Sequence, residues 1–335
     1  MPAVDLMLIP RPEGLYCPAG GFFIDPVRPV QKALITHAHS DHARSGHGAV
    51  LATRQTLDIM ALRYGSGFAV TQQVAEGTVQ IDGVKVSFHP AGHVLGSAQI
   101  CVEGQGVRVV VTGDYTRTPN PACAPWEPVP CDILVTEATF ALPIFRHPEP
   151  ISEISKLLVS VAKFPERAHL VGVYALGKAQ RVIMLLRMAG YDAPIYLHGA
   201  LQKLCDYHIA EGVALGELRP ATVARGRKGD FAGAIVLAPP SAFAATWAQR
   251  FPDPVIAFAS GWMMVRARAR QRGVELPLII SDHVDWPQLT QTIAELDPAE
   301  TWITHGREEA LMRWCALEGH AARPLRLVGY EDEPE

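Results

Sequence analysis

The sequence has no CxxC pair, no apolar run approaching 18 residues, no strong excess of charge, no internal repeat and no low-complexity segment. Six cysteines (Cys17, Cys101, Cys123, Cys131, Cys205 and Cys315) are scattered over 335 residues without paired spacing. That pattern argues against a disulfide framework and predicts reduced, mostly buried thiols in a cytoplasmic protein. The first residues, Met-Pro-Ala-Val-Asp, lack a basic stretch followed by an apolar one, so neither export nor a membrane span is expected. Lys and Arg total 30 against 34 Asp and Glu, a formal net charge of −4. No bulk attraction therefore draws the chain to nucleic acid, and any such binding needs a local basic patch. What remains is an ordinary globular composition, 48% hydrophobic and 19% charged, on a chain long enough for two domains and a large core.

The texture changes along the chain. Through the first 140 residues, Val84–Phe88, Ala98–Val102, Val107–Thr112 and Ile133–Thr136 read as short strands bounded by Gly, Asp or Pro. From Ile151 helix and strand patterns alternate. Helices are expected over Ile151–Phe164, Lys178–Met188, Leu201–Glu211 and Ala242–Arg250, and strands over His169–Tyr174, Pro194–Leu197, Ala234–Leu237 and Val255–Ala259. That order predicts a parallel sheet with crossover helices. After Ser281 come a helix at Gln288–Leu296, a strand ending Trp302-Ile303-Thr304-His305, and a final helix.

The densest chemistry lies at His37-Ala-His39-Ser-Asp41-His42, four first-row metal ligands in six residues. It follows the apolar run Ala33–Thr36, which reads as a strand ending at the first histidine. Histidines at i and i+2 leave a strand end on one side, and Asp41-His42 follow around a turn. Imidazole nitrogen and carboxylate oxygen suit Zn²⁺, Mn²⁺ or Fe, and this many can serve two ions. The bland alternative is a solvated His-rich loop. Four more strand ends deliver a polar residue each: His93 after Val84–Phe88, Asp114 after Val107–Thr112, Glu137 after Ile133–Thr136 and His305 after Trp302–Thr304. Singly these read as caps. Jointly they supply the partners that HxHxDH lacks for closing two metal sites.

The succession HxHxDH, AGHVLGSA, TGDY, VTEATF, SDHVDW and THG resembles the metallo-β-lactamase superfamily and, within it, the β-CASP nuclease branch. The opening GLYCPAGGFFIDPVRPVQKALITHAHSDHA and the short insert are similar to bacterial DNA-ligase-associated exonucleases. The resemblance implies an αββα sandwich, residues 1–141 and 281–335, interrupted by an inserted parallel-sheet α/β domain, residues 142–280. It implies two divalent ions, Zn²⁺ with Mn²⁺ as the alternative. His37, His39 and His93 would hold one, and Asp41, His42 and His305 the other, with Asp114 bridging. Two such ions about 3.5–4 Å apart lower the pKa of a shared water and clamp a phosphate. The catalytic set implied is Asp41, the ligand-orienting Asp25, and His283 as general acid to the leaving 3′ oxygen, oriented by Glu137. A simple turn Asp before Pro26 remains open for Asp25. The implied substrate is DNA, single-stranded or a duplex end, in repair alongside a DNA ligase and helicase, with no membrane involved. RNA processing is the alternative. A small-molecule metallohydrolase is disfavoured because such enzymes generally lack the Glu/His pair. A catalytically silent scaffold is disfavoured because every ligand position is occupied by a ligating residue type.

For nucleic-acid contacts, Lys178 and Arg181 open a helix after a strand, where amide N–H groups can receive a phosphate. Arg266, Arg268, Arg270 and Arg272 form either a phosphate-tracking stripe, if extended, or a solvated helical surface. Ser260-Gly261-Trp262 offers a stacking ring or a buried one. The other histidines, His47, His89, His147, His169, His198, His208 and His320, read as structural.

Overall fold

Short strands separated by Gly, Asp and Pro turns build three sheets in the computed structural model, which describes residues 7–222, 231–306 and 308–325. The chain divides into two units, Met1–Arg146 with His283–Glu335, and His147–Asp282. In the first unit a six-stranded sheet runs in the order Ile9–Arg11, Gly14–Cys17, Phe22–Ile24, Lys32–Leu34, His47–Ala52, Ala69–Val74. A seven-stranded sheet runs Ala322–Pro324, Glu300–Gly306, Ile133–Ala138, Val107–Val111, Ala98–Gly104, Val84–Pro90, Thr78–Ile81.

Period-two side-chain alternation decides what each strand face covers. Val109, Val111, Ile133 and Val135 share one core with Leu15, Ile24, Leu34 and Leu51 of the other sheet. The residues between them, Val110 and Leu134, point the opposite way, into a core with Leu289, Ile293, Leu311 and Cys315. Those four belong to the helices Trp286–Leu296 and Glu308–Glu318. Asp285 caps the first of these helices, its carboxylate accepting from Gln288 N at 3.2 Å. The unit is thus two sheets sharing a core, with helices covering the outer face of the larger one.

The second unit holds a six-stranded sheet in the order Leu218–Pro220, Ile195–Leu197, Ile235–Ala238, His169–Gly172, Val255–Ala259, Leu276–Leu278. Every pairing in it is parallel. Its central strands are buried along their whole length, as a parallel sheet covered on both faces requires. The helices Pro150–Lys163, Lys178–Met188 and Gly199–Ala210 pack Ile154, Leu157, Val182, Leu186 and Leu201 into its core.

Two expectations need correction. The helix expected over Ala242–Arg250 is instead a pair of 3₁₀ turns, Pro240–Ala244 and Ala248–Arg250, because Ala245 adopts extended backbone (φ −88°, ψ 164°) and interrupts it. The helix Arg54–Tyr64, capped by the Thr53 side chain, has no counterpart in the expected elements. None of the six cysteines forms a disulfide; four are buried and two half-buried. Among the described residues no helix is long and apolar enough to cross a membrane.

Candidate metal centre

Every residue of the centre belongs to the first unit, and most stand at or near a strand end. The parallel neighbours Phe22–Ile24 and Lys32–Leu34 lead directly into Asp25 and into Thr36-His37. In the larger sheet the parallel strands Val107–Val111, Ile133–Ala138 and Glu300–Gly306 carry Asp114, Glu137 and His305 at their C-terminal ends. His93 sits in the turn joining Val84–Pro90 to Ala98–Gly104.

The backbone is bent to bring these residues in. Asp25 (φ 43°) and His305 (φ 53°) occupy the left-handed region, a strain of order 1–3 kcal/mol that structures retain mainly at functional sites. Gly113 (φ 55°) lets the chain pass against Thr36, whose side chain would lie 2.7 Å from a Cβ placed there. A Cβ on Gly306 would strike the Ala138 carbonyl. The register between Ile133–Ala138 and Glu300–Gly306 shifts across Glu137, and such a bulge re-aims a side chain.

Hydrogen bonds then fix which nitrogen of each ring faces inward. Asp25 accepts from Thr36 N at 2.8 Å and from Thr36 Oγ1 at 2.6 Å. Having given its proton to Asp25, the Thr36 hydroxyl can only accept from His37 Nδ1, 3.1 Å away. His42 Nδ1 lies 2.8 Å from Asp25 Oδ2. In both rings Nε2 is therefore left as the lone pair, the usual way a carboxylate prepares an imidazole for coordination. His93 is held through its backbone, N to Ser97 Oγ at 3.2 Å and O to Asn120 Nδ2 at 2.8 Å.

The inward atoms converge. His37 Nε2 and His93 Nε2 lie 3.1 and 3.0 Å from His39 Nδ1. Asp114 Oδ2 lies 3.4 Å from both His37 Nε2 and His42 Nε2, and 3.7 Å from His93 Nε2. Three sets have ligand atoms all within 4.8 Å of one another: His37, His39, His93 and Asp114; Asp41, His42 and Asp114; Asp114, Glu137 and His283. His305 stands beside the second set, its ring stacked on His42 with 5.1 Å between centroids. His283 Nδ1 contacts Glu137 Oε1 and Oε2 at 3.1 and 3.0 Å, and Glu137 Oε1 also accepts from Tyr115 N at 2.9 Å. Val284 N donates to Tyr115 O at 2.8 Å, so the residues after Asp114 and after His283 are tied together.

The electrostatics call for positive charge at the centre. Burial alone would push His42 down, but the carboxylates of Asp114 and Asp41 outweigh it and hold His42 well above its ordinary range. Burial would likewise raise Asp114, yet His42 and His283 keep it well below the usual carboxylate range. Burial, reinforced by His42, drives His37 well below its ordinary value and His305 down to about 4. His37 and His305, kept neutral, and His42, whose proton a bound cation would replace, face a buried Asp114 that stays charged, and together they form a donor set suited to divalent cations. Asp41 Oδ1, buried and without a hydrogen-bond partner among the described residues, fits the same group. His37, His42, His93 and Asp114 are buried, whereas His39, Asp41 and His283 are half-buried and form the accessible side.

The residues expected to meet nucleic acid fare differently. Lys178 and Arg181 are buried, which corrects the reading of them as phosphate contacts. Lys178 Nζ donates to Ile280 O at 2.7 Å and pairs with Asp282 Oδ2 at 2.9 Å. Arg181 donates to Ser281 O and, at 3.0 Å, to Asp282 Oδ1. Their first helical turn faces the chain at Ile280–Asp282, so the charges are spent inside the unit. Burial brings Lys178 down to about 8 against the opposing pull of Asp282. Arg266 lies exposed on the short helix Arg266–Gln271, and the guanidinium of Arg268 stacks 4.0 Å over the half-buried Trp262. Sequence reasoning missed Thr36, Ser97, Asn120 and Tyr115. Only Thr36, at the end of the apolar run before His37, carried a local signal.

No family model matches the chain. It is 26% identical over 329 residues to a probable DNA ligase from Opitutus terrae, covering 91% of this chain and 31% of that protein. It is 26% identical over 209 residues to an RNase J-like protein from Methanocaldococcus jannaschii, covering 51% of this chain and 48% of that one. Over 137 residues it is 33% identical to cleavage and polyadenylation specificity factor subunit 3 from Dictyostelium discoideum, covering 38% and 17%. The chain thus spans less than half the length of these curated relatives. A solved structure of a protein of unknown function from Enterococcus faecalis matches with a TM-score of 0.57 at 12% identity, covering 88% of this chain and 79% of that one. That last likeness is one of fold. The homologues of this chain include β-CASP nucleases of the metallo-β-lactamase superfamily, which are metal-dependent hydrolases.

Proposed function

We propose that the chain is a two-metal phosphodiesterase built as an αββα metallo-β-lactamase sandwich with an inserted β-CASP domain, and that it is a DNA exonuclease acting in repair beside a DNA ligase. The observation that carries this reading is Asp114 Oδ2, 3.4 Å from both His37 Nε2 and His42 Nε2. One carboxylate oxygen is shared by two histidine-bearing sets. His37, His39 and His93 would hold one ion, Asp41, His42 and His305 the other, and Asp114 both, with Zn²⁺ the favoured metal and Mn²⁺ the alternative. Bound there, the ions supply charge that neutralises a phosphate and acidifies water.

The chain's own residues do the rest. Asp25 keeps the His42 ring in its ligating tautomer. Glu137 accepts a hydrogen bond from His283 Nδ1–H, which leaves Nε2 as the position whose proton can pass to the leaving 3′ oxygen. The half-buried side formed by His39, Asp41 and His283 admits the phosphodiester. Arg266 and Arg268 are the remaining phosphate contacts of this reading.

DNA as substrate is supported by the match of 91% of this chain to part of a protein named a probable DNA ligase. The similarity to an RNase J-like protein favours RNA as the second reading. The test is hydrolysis of end-labelled single-stranded and duplex DNA and RNA with Mn²⁺ or Zn²⁺. Mononucleotides released from one end of DNA support the proposal, faster RNA cleavage favours the second reading, and intact substrates refute both.

A further inference from the structure

Neither loop that carries the histidines of the first set is regular structure, yet His39 Nδ1 and His93 Nε2 must meet at 3.0 Å. One element grips both loops, the helix Arg54–Tyr64. At its N-terminal end Thr53 Oγ1 and Thr56 Oγ1 both donate to Gly96 O, at 2.6 and 3.0 Å. Gly96 (φ +81°) packs so closely there that a Cβ would lie 2.6 Å from Gln55 and 2.8 Å from Thr56 N. The next residue, Ser97, accepts from His93 N and Val94 N at 3.2 and 3.1 Å, carrying the grip to His93. At the C-terminal end Arg63 donates to Ala38 O, and Tyr64 Oη donates to Ala43 O at 2.8 Å. Ala38 stands between His37 and His39, and Ala43 follows His42.

We propose that this helix braces the two loops of the metal centre and that Arg63, an exposed surface residue, is a positioning residue that sets the aim of His39. The proposal rests on the metal-centre reading above. The carbonyl of Ala38 belongs to the peptide that joins it to His39, so pinning that oxygen fixes the plane from which the His39 ring departs. His39 is the half-buried member of its set, with less packing around it than His37 or His93. A hydrogen bond from a guanidinium is charge-assisted and about twice as strong as a neutral one. Metal sites tolerate distance errors of only about 0.2 Å, and groups that support ligands are worth roughly 10–100-fold in metal affinity. Because Arg63 is exposed, it can be removed without opening a cavity.

The test uses the full chain stripped of metal, titrated with Zn²⁺ and with Mn²⁺ against a competing chelator, alongside thermal melting of the metal-free protein. Arg63→Met keeps the aliphatic stem and should raise the dissociation constant of one ion about tenfold, leaving the metal-free melting temperature within about 2 °C of wild type. Arg63→Lys, which restores a donor, should recover most of the affinity. Tyr64→Phe removes only the hydroxyl on Ala43 and should cost about fivefold, one hydrogen bond; it carries the test alone if Arg63→Met does not fold. Metal affinity unchanged in these variants, or lost only in step with metal-free stability, overturns the brace. A wild-type protein that binds no divalent ion overturns the metal-centre reading and the brace with it.

Discussion

Asp282→Asn separates two roles for Lys178 and Arg181. In the structure Asp282 is buried and is the shared counter-charge of both cations, Lys178 Nζ at 2.9 Å and Arg181 at 3.0 Å. The substitution keeps shape and removes charge, leaving an ammonium and a guanidinium buried together with only carbonyl oxygens as acceptors. Breaking a buried pair in this way costs about 3–5 kcal/mol. For the unit His147–Asp282 unfolding by itself, that is a fall in melting temperature of roughly 6–20 °C, at about 2–4 °C per kcal/mol. If the two cations served phosphates instead, freeing them from Asp282 would tighten nucleic-acid binding, and stability would move by no more than about 0.5 kcal/mol. Urea unfolding, followed by binding of a labelled oligonucleotide over a range of salt, reads both quantities. A loss of less than about 1 kcal/mol together with tighter binding would refute the buried-clamp account.

Further outcomes follow from the same geometry. Lys178 sits at about 8 in the folded chain against an ordinary 10.5. The unfolded chain therefore binds more protons between those values, and wild type should gain stability relative to Lys178→Met as pH rises from 8 towards 10.5, checked by urea midpoints at about pH 7.5 and 9.5. His283→Ala should keep metal and substrate binding and lose roughly 10²–10⁴-fold in rate, with partial rescue on a nitrophenyl phosphodiester that needs little protonation. Glu137→Gln should lose less, since it disturbs only the orientation of His283. Arg266→Ala and Arg268→Ala should each flatten the salt dependence of nucleic-acid binding by about one unit of slope, measured as log affinity against log salt.

What could be read from sequence was local. An apolar run that stops at a histidine or an aspartate marks a strand end, and such ends place Asp25, His37, Asp114, Glu137 and His305 around one point. The helix Lys178–Met188 and the strand Val255–Ala259 fall where their periodicity puts them. What was hidden depends on distant partners. The burial of Lys178 and Arg181 is decided by Asp282, about a hundred residues on, and nothing near the helix start announces it. Strands of three or four residues, such as Ile9–Arg11 and Gly14–Cys17 in the first unit's six-stranded sheet, are too short to show alternation and left no trace. The four alternating arginines left helix and strand undecided, and the structure makes Arg266–Gln271 helical. Arg63 and Tyr64 carried no local signal, since their acceptors are backbone carbonyls 25 and 21 residues away.

The most direct test of the two-metal account is a stepwise metal titration of chelator-treated protein, with bound ions counted by elemental analysis and hydrolysis of end-labelled DNA and RNA followed in the same samples. The account predicts that no hydrolysis occurs without metal, that rate rises as bound Zn²⁺ or Mn²⁺ approaches two ions per chain, and that Asp114→Ala abolishes both the second ion and turnover. Hydrolysis that persists undiminished in excess chelator, or an Asp114→Ala protein as active as wild type, would contradict it.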